Sequence, residues 1–408
     1  TNLVADLNRQ KDDLLYESLM ENAITLVQNQ KHSLPLKNLE LHKIAYVNMG
    51  DADPTPFVSS LNKYTKVDVV NSKNLDALIT SLKNYNTVII GFHKSNANPW
   101  KSYQFTDKEL VWLYEIARSN NVILTLFAKP YALNAFKTFV NFESILMAYQ
   151  NSPIAQQKAA QIIFGALPAK GILPVSCGIN FKAGDGLQTT PLNRLSYGLP
   201  ESVGLDASRL QKMDSLAHFA ISEKMTPGIQ LLVARKGKVI YDKSFGYHTY
   251  KKASKVNFNN LYDVASLTKI LATLPLLMEL VDLGVIGLDS TLGDLLPLYK
   301  NTNKETITIQ EMLSHFAQLK PWIPFYVSTL DSVTQKPNPK FYRTKYTKKF
   351  PIKVKERLYL RKDFRDSIQN QIITSELLEE KEYRYSDLPY YILKQIIEKH
   401  YDLPLDAL

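Results

Sequence analysis

Two short β-branched runs decide the fold of the first part of the chain: NTVIIGFH, residues 86–93, and NVILTLFA, residues 121–128. The amphipathic segment FTDKELVWLYEIARSN, residues 105–120, lies between them. A strand, a helix and a second strand in this order favour parallel strands covered by helices. KIAYVNMG, residues 43–50, is a third strand-like run, and the apolar spacing of MENAITLVQNQ, residues 20–30, predicts a helix. We therefore predict an α/β sandwich.

This periodicity stops in FKAGDGLQTTPLNRLSYGLPESVG, residues 181–204, where Gly, Pro, Thr and Asn dominate. We interpret residues 186–204 as a linker. The chain is thus predicted to contain a first domain over residues 1–185 and a second over residues 205–408.

The second domain is predicted to begin with a helix capped by Asp206. Two alternating strands follow, and they turn at Lys236-Gly237-Lys238, where the glycine can adopt a positive φ. LATLPLLMELVDLG, residues 271–284, predicts a helix buried on most faces and ended by its final glycine. Thr308 and Glu311 predict a capping box at the start of a later helix.

Composition limits the classes of protein that this chain can belong to. Its 408 residues are 45% hydrophobic and 22% charged, which predicts more than one globular core. The single Cys177 excludes an internal disulfide. No apolar run reaches the roughly 20 residues of a membrane span, and no signal segment opens the chain. Because the chain begins at Thr1, we expect a processed or excised piece of a longer protein.

The net charge of +10 comes almost entirely from one basic segment, residues 336–366. Its aromatic residues suggest nucleic-acid binding, but no nucleic-acid motif accompanies it, so we favour a solvated excursion and expect no nucleic-acid partner. A phosphate-rich envelope surface fits the charge equally well. Against three acidic residues the segment carries twelve basic ones: Lys336, Lys340, Arg343, Lys345, Lys348, Lys349, Lys353, Lys355, Arg357, Arg361, Lys362 and Arg365.

One candidate for nucleophilic chemistry is DVASLTKI, residues 263–270, in which Lys269 follows Ser266 by one helical turn. An apolar helix beside the lysine should lower its pKa, so that the neutral amine could activate the serine. The alternative is a helix cap followed by a surface lysine. Spacing cannot decide, because Ser60 and Lys63 are separated in the same way.

Context favours the nucleophile, because the second domain resembles the amino-terminal part of serine hydrolases related to class C β-lactamases and penicillin-binding proteins. The resemblance implies an antiparallel sheet with a helical subdomain, acylation of Ser266, and Lys269 as part of the base. The family's Tyr-x-Asn is matched by Tyr385-Ser386-Asp387, which implies that Tyr385 relays the proton. The resembling stretches are PGIQLLVARKGKVIYDKSFGYHT (227–249), LYDVASLTKILATLPLLMELVDLGVIGLD (261–289) and TITIQEMLSH (306–315).

The chain departs from the family pattern at the substrate-facing position of that motif. Asp387 replaces the Asn, and a carboxylate cannot donate a hydrogen bond to a substrate carbonyl. This change either selects a different substrate or marks a poor β-lactamase. The family's Lys-Thr-Gly or His-x-Gly strand is not found between Asp387 and Leu408. We therefore expect a partial domain, either cut here or completed by another polypeptide.

A second departure lies near His315. His-Phe-Ala-Gln-Leu, residues 315–319, stands where related sequences have His-x-Ser-Gly-Leu. PWIPF, residues 321–325, follows, and we predict that Trp322 and Phe325 line the substrate pocket. Ordinary aromatic packing is the alternative.

The first domain has its own resemblance. ENAITLVQNQKHSLPL (21–36) and NSPIAQQKAAQIIFGALPAKGILPVS (151–176) resemble the carboxy-terminal α/β domain of glycoside hydrolase family 3. In that family a barrel carries the nucleophilic aspartate, and no barrel precedes this domain, so we expect it to be glycosidically inert alone. Together the two resemblances imply a bacterial β-N-acetylhexosaminidase-type fusion of the periplasm or cell envelope.

We therefore expect a serine acyl hydrolase module acting on a peptidoglycan-like or other envelope glycan or peptide. Ser266, Lys269 and Tyr385 are the predicted catalytic residues, and Asp387 and Trp322 the predicted substrate contacts. We expect no metal and no cofactor, because the histidines are scattered. The rival hypothesis is an inert accessory or binding domain of a family 3 glycoside hydrolase. Oligomeric state is left open.

Overall fold

The computed structural model describes residues 10–98, 100 and 103–408. The chain forms two compact units, of which the first ends at Asn260 and the second begins at Leu261. Its architecture is mixed α/β, as predicted. The predicted domain limits at residues 185 and 205 stay a prediction.

The first unit is built on a six-stranded sheet with the order β1-β6-β5-β4-β2-β3. Strands β2 to β6 pair in parallel, as predicted, whereas β1 pairs antiparallel with β6. The strands are β1 Thr25–Asn29, β2 Ile44–Gly50, β3 Val67–Val69, β4 Thr87–His93, β5 Val122–Phe127 and β6 Phe142–Met147.

Helices cover both faces of this sheet. Alternate residues of β2 belong to different buried clusters: Ile44 and Tyr46 to one, Ala45 and Val47 to the other. Burial on both faces explains why the parallel strands are nearly continuous apolar runs. The helices of this part are α1 Gln10–Ala23, α2 Thr55–Leu61, α3 Leu75–Leu82, α4 Asp107–Ser119 and α5 Pro153–Ile163.

The helix predicted over residues 20–30 was wrong beyond Ala23. Helix α1 ends at Ala23, and Thr25–Asn29 forms β1. Ile24 and Leu26 are fully buried, and Thr25 pairs with Met147 on β6. The available sheet edge therefore outweighs the local helical spacing.

A second, smaller sheet of the first unit has the order β7-β9-β8. Its strands are β7 Ser196–Tyr197, β8 Gly228–Arg235 and β9 Lys238–Gly246, and α6 Ala207–Ser222 precedes the hairpin. The Asp206 cap is confirmed, since its carboxylate accepts a hydrogen bond from the Ser208 amide at 2.8 Å. The glycine turn is also confirmed, with Gly237 at φ 73°. Because β7 lies within residues 186–204, the predicted linker contains regular structure.

A buried ion cluster joins these elements. The Nζ of Lys158 on α5 lies 2.7 Å from Glu17 and 2.6 Å from Glu21, both on α1, and only 1% of the Lys158 side chain is exposed. Lys158 also donates to the carbonyl of Tyr197 on β7 at 2.9 Å. Lys238 on β9 lies 3.5 Å from Glu21. Charged groups buried to this extent require such partners.

The second unit combines helices with a small antiparallel sheet of order β10-β12-β11. Its core includes Leu280 of α7, Met312 of α9 and Ile392 of α11, and the predicted Thr308 capping box is present. The elements are α7 Leu274–Asp282, α8 Leu292–Leu295, α9 Ile309–Leu313, β10 Tyr342–Arg343, β11 Ile352–Lys355, β12 Leu358–Leu360, α10 Phe364–Thr374 and α11 Leu388–Tyr401.

Helix α7 ends near Gly284, at φ 68°, as predicted, but its burial was predicted wrongly. Leu277 and Leu280 are buried, whereas Leu271 and Met278 are 64% and 59% exposed. Only one face of α7 packs into the core cluster of the second unit.

Candidate active site

The backbone around Ser266 is irregular on both sides. Ala265 adopts φ 44°, a left-handed conformation that residues with a Cβ rarely adopt. Its amide donates to the Asp263 carboxylate at 2.7 Å, which holds the turn. A short π-helical turn, Lys269–Thr273, then leads into α7. Such turns inside helices occur frequently at functional sites.

Lys269 brings the candidate residues together. Its Nζ lies 3.0 Å from Ser266 Oγ and 2.6 Å from Asp387 Oδ1. It also lies over the rings of Tyr385 and Tyr390, at 5.2 and 5.4 Å from their centroids. The side chain of Lys269 is only 14% exposed. Lys269 is therefore a partly buried residue that contacts both Ser266 and Asp387, and not a surface side chain.

The other Ser-x-x-Lys pair forms no such arrangement. Ser60 is buried in α2. Lys63 points its Nζ at the ring of Tyr197, 4.0 Å from the centroid. The structure thus distinguishes two pairs that spacing could not separate.

Hydrogen bonds to two backbone carbonyls hold the Tyr-Ser-Asp segment in place. Ser386 Oγ donates to the Lys320 carbonyl at 2.6 Å, and the Asp387 amide donates to the Pro321 carbonyl at 2.9 Å. Helix α11 begins immediately afterwards. The buried Ser386 was not singled out by sequence reasoning, because its role depends on a partner 66 residues away.

The altered motif near His315 retains an unusual backbone. Gln318 adopts φ 54°, in the position where related sequences have Gly. Its side-chain amide donates to the Leu378 carbonyl at 2.8 Å, and its own carbonyl accepts from the Leu378 amide at 2.8 Å. These bonds hold a conformation that glycine adopts without strain.

His315 is a second residue that sequence reasoning missed as a neighbour of the site. Its ring lies 4.6 Å from the Tyr385 ring, and its Nδ1 accepts a hydrogen bond from the Ser386 amide at 3.3 Å. Burial lowers the pKa of His315, and the positive charge of Lys269 lowers it further. The neutral ring is therefore the favoured form. The only sequence signal was its place at the head of the altered motif.

The expected fall in the pKa of Lys269 was wrong. Partial burial does favour the neutral amine, but the hydrogen bonds to Asp387 and Tyr385 and the charge of Asp387 outweigh it, so the pKa is raised. Lys269 therefore remains an ammonium at neutral pH.

The pKa of Tyr385 shifts in the opposite direction. Its hydrogen bonds with Lys269 and with Ser266 lower the pKa of its hydroxyl, and the lysine charge adds to this effect. The nearby Asp387 carboxylate opposes the shift. Tyr385 is thus the more acidic group beside a lysine that keeps its proton.

The predicted substrate contacts Asp387 and Trp322 line the same cavity, of about 350 Å³. Phe325 and Tyr391 are among its aromatic walls, and the small sheet of the second unit contributes Val354. Asp387 thus belongs both to the ion pair with Lys269 and to the cavity wall.

Residues 217–408 match the family model described as Beta-lactamase. The carboxy-terminal part of this chain is β-lactamase-like. "Protein flp" of Staphylococcus aureus is 30% identical over 131 residues, which is 31% of this chain and 25% of that protein. The chain thus spans about a quarter of the length of this curated relative. The match to the Beta-lactamase family model favours the serine hydrolase hypothesis over an inert accessory domain.

Solved structures that partly match this chain come from two groups. A penicillin-binding protein homologue from Pyrococcus abyssi is 20% identical with a TM-score of 0.36, covering 48% of this chain and 40% of that one. A glycoside hydrolase family 3 β-N-acetylglucosaminidase from Paenibacillus sp. is 15% identical with a TM-score of 0.32, covering 40% and 32%.

The β-lactamase-like part offers one backbone donor beside the candidate nucleophile. Within the described residues, the Ser266 amide makes no hydrogen bond. A free amide at this position could stabilise a developing oxyanion.

Neither a metal centre nor a membrane span emerges from the part of the chain that the structure describes. His, Cys, Asp and Glu side chains there form no group of three able to hold a metal ion. None of the helices there combines the length and the apolar character needed to cross a bilayer.

Proposed function

We propose that this chain contains a serine acyl hydrolase module with Ser266 as its nucleophile. The observation that carries the proposal is the 3.0 Å contact between Lys269 Nζ and Ser266 Oγ, with the Tyr385 ring centred 5.2 Å from the same Nζ. A nucleophile with a proton acceptor and an orienting third group is the arrangement that acyl transfer requires.

In the proposed mechanism, Tyr385 is the proton acceptor. Ser266 Oγ attacks the carbonyl carbon of an ester or amide while its proton moves to the Tyr385 phenolate. The carbonyl bond to the leaving group then breaks, and Tyr385 protonates the departing alcohol or amine. Water attacks the acyl-enzyme ester by the same route, and the proton it gives up returns to Ser266. Lys269 keeps its charge throughout and stabilises the phenolate.

The cavity beside Asp387 is suited to bind a substrate with a partly apolar acyl group. Trp322 and Phe325 offer aromatic surface there, while the Asp387 carboxylate can only accept hydrogen bonds. We infer that the preferred substrate presents an N–H or ammonium group to Asp387. The carbonyl in the side chain of a β-lactam needs a hydrogen-bond donor, so a β-lactam fits this position less well.

An envelope glycan or peptide of the peptidoglycan type remains our proposed substrate class, with the periplasm or cell envelope as the location. The support is the resemblance of the first domain to glycoside hydrolase family 3. Release of amino-acid products from purified peptidoglycan peptides, followed by mass spectrometry, tests it. Hydrolysis of simple esters without any peptide release would confine the proposal to the acyl chemistry.

The decisive experiment is covalent labelling of the chain by a fluorophosphonate probe, measured by intact mass. We expect one label on the parent protein and none on Ser266→Ala. Ser60→Ala is the matched control, since it alters the other Ser-x-x-Lys pair and should label like the parent. Absence of a label on the parent, or a label that persists in Ser266→Ala, would show that Ser266 is not an activated nucleophile.

A further inference from the structure

The basic segment, residues 336–366, folds into the small sheet β10-β12-β11 of the second unit, and this sheet has two different faces. The register pairs Tyr342 with Leu360 and Leu360 with Ile352. Tyr342 and Leu360 line the cavity that also contains Asp387. We call this side the inner face.

The opposite side, the outer face, carries cations around one tyrosine. Arg343 pairs with Tyr359, and Tyr359 pairs with Lys353, so that the three residues form a row across the strands. Side chains alternate between the faces of a sheet, which puts this row opposite the cavity. Lys353 and Lys355 are both exposed on the edge strand β11, and a register shift separates them, so only Lys353 is assigned to the outer face by the pairing.

Most of the surrounding charge has no partner. Within the described part of the chain, the exposed side chains of Lys345, Lys348, Lys353, Lys355 and Arg357 make no hydrogen bond or ion pair. Arg361 is the basic residue of the segment with an ion pair among the described residues, at 2.5 Å from Asp363. Unpaired cations of one sign create a positive potential that attracts an anionic surface.

The aromatic residues of the segment are already occupied, which bears on the type of anion. The Arg343 guanidinium lies 4.5 Å from the centroid of the buried Phe350 ring, and that of Arg361 lies 5.1 Å from the Phe341 ring. Tyr359 meets Tyr346 edge to face, with centroids 6.3 Å apart. Single-stranded nucleic acids are usually held by open stacking platforms in a basic groove. The outer face offers positive charge but few aromatic rings that are free to stack with bases.

The excess of lysine over arginine also argues against a nucleic-acid partner. Eight of the twelve basic residues in the segment are lysines, which act as mobile point charges, whereas planar, two-pronged phosphate recognition favours arginine. Clusters of four to eight such cations are sufficient for attraction to anionic lipid. A tyrosine among them suits the headgroup region.

From these observations we propose that the outer face binds the surface of an anionic phospholipid membrane. The inner face of the same sheet lines the cavity, so bound lipid would lie about 10 Å from it, roughly the separation of packed sheets. The membrane would thereby hold the candidate site close to its surface, with the cavity on the side of the sheet that faces away from the lipid. The proposal does not depend on Ser266 being a nucleophile.

Vesicle co-sedimentation tests the proposal on the 408-residue chain. We expect binding to phosphatidylglycerol–phosphatidylcholine vesicles, no binding to phosphatidylcholine alone, and loss of binding at high salt. Lys348→Gln, Lys353→Gln and Lys355→Gln combined should weaken the affinity on the order of a hundredfold, since each lysine contributes about 1 kcal/mol.

The matched control combines Lys37→Gln, Lys73→Gln and Lys170→Gln, three exposed lysines of the first unit. It changes the net charge equally and should bind like the parent. Equal weakening by both triple variants would mean that net charge alone drives binding. Failure to bind anionic vesicles, or tighter binding to a mixed-sequence single-stranded oligonucleotide at the same salt, would overturn the proposal. Unchanged thermal melting of both variants excludes misfolding.

Discussion

The carboxylate of Asp387 lies 2.6 Å from the ammonium group of Lys269, in the position where related hydrolases carry an uncharged amide. Together with the hydrogen bond to Tyr385, this contact reverses the pKa shift expected for a partly buried lysine. It assigns the charge to Lys269 and leaves Tyr385 as the group able to accept a proton.

Asp387→Asn should therefore accelerate acylation near neutral pH. Removing the carboxylate takes away an interaction that raises the pKa of both Lys269 and Tyr385. The phenolate then forms at lower pH, so the rise of the labelling rate with pH should shift to lower pH. We expect a gain of roughly three- to tenfold at pH 7, measured as the rate of fluorophosphonate labelling. Asp402→Asn is the charge-matched control, and a shift to higher pH would contradict the assigned roles.

Tyr385→Phe should remove the proton acceptor while keeping the ring packed against His315. General base catalysis contributes about 100- to 10,000-fold, so the labelling rate should fall by this factor. Tyr383→Phe is the natural control, because Tyr383 also contacts the His315 ring, at 6.0 Å, and has no proposed role. A Tyr385→Phe protein that labels within a few-fold of the parent would return the role of base to Lys269.

His93 should make the first unit sensitive to acid. It is fully buried, with Nδ1 donating to Asn151 Oδ1 at 2.6 Å and Nε2 accepting from the Tyr46 hydroxyl at 2.8 Å. Burial lowers its pKa to about 4 from 6.5. The unfolded chain therefore binds the proton first, and stability is lost as the pH falls from 6.5 toward 4, by about 3 kcal/mol at most.

Urea unfolding of the first unit between pH 7 and pH 4 measures this effect. His93→Gln should be less stable at pH 7 but show a smaller loss with falling pH. The exposed His248→Gln serves as control and should retain the full dependence. An unchanged pH dependence in His93→Gln would assign the acid sensitivity to other groups.

Lys158→Met should strongly destabilise the first unit, since it leaves Glu17 and Glu21 without their buried partner. Removing one member of a buried ion pair costs about 3–5 kcal/mol. Adding Glu17→Gln to this variant should recover part of the loss, because one stranded carboxylate becomes neutral. Urea unfolding at pH 7 measures both effects, with the exposed Lys170→Met as control. A loss below about 1 kcal/mol would mean that the cluster contributes little net stability.

Sequence reasoning succeeded where local pattern and burial agree. The runs at residues 43–50, 86–93 and 121–128 became β2, β4 and β5, because strands covered on both faces need continuous apolar residues. It failed for β1, whose edge pairing with β6 is a tertiary event.

The same limit applies to the candidate site. Ser266 and Lys269 meet because they are three residues apart on one turn. Asp387 is 118 residues from Lys269 in the chain, and only folding sets the distance that governs the lysine pKa. Lys158 resembles any helical lysine in the sequence, and its burial follows from acidic residues on another helix.

The pairing of β7 with β9, together with the contact between Lys238 and Glu21, also bears on how this chain could be recombined with others. A gene fusion joined at residue 205 would carry away the β8–β9 hairpin and leave β7 without its neighbour. Lys158 and its glutamates would lose part of their cover at the same cut. We expect the segment that can be moved intact to another protein to extend to Asn260. A gene fusion that uses the α/β domain must therefore include the β8–β9 hairpin as well.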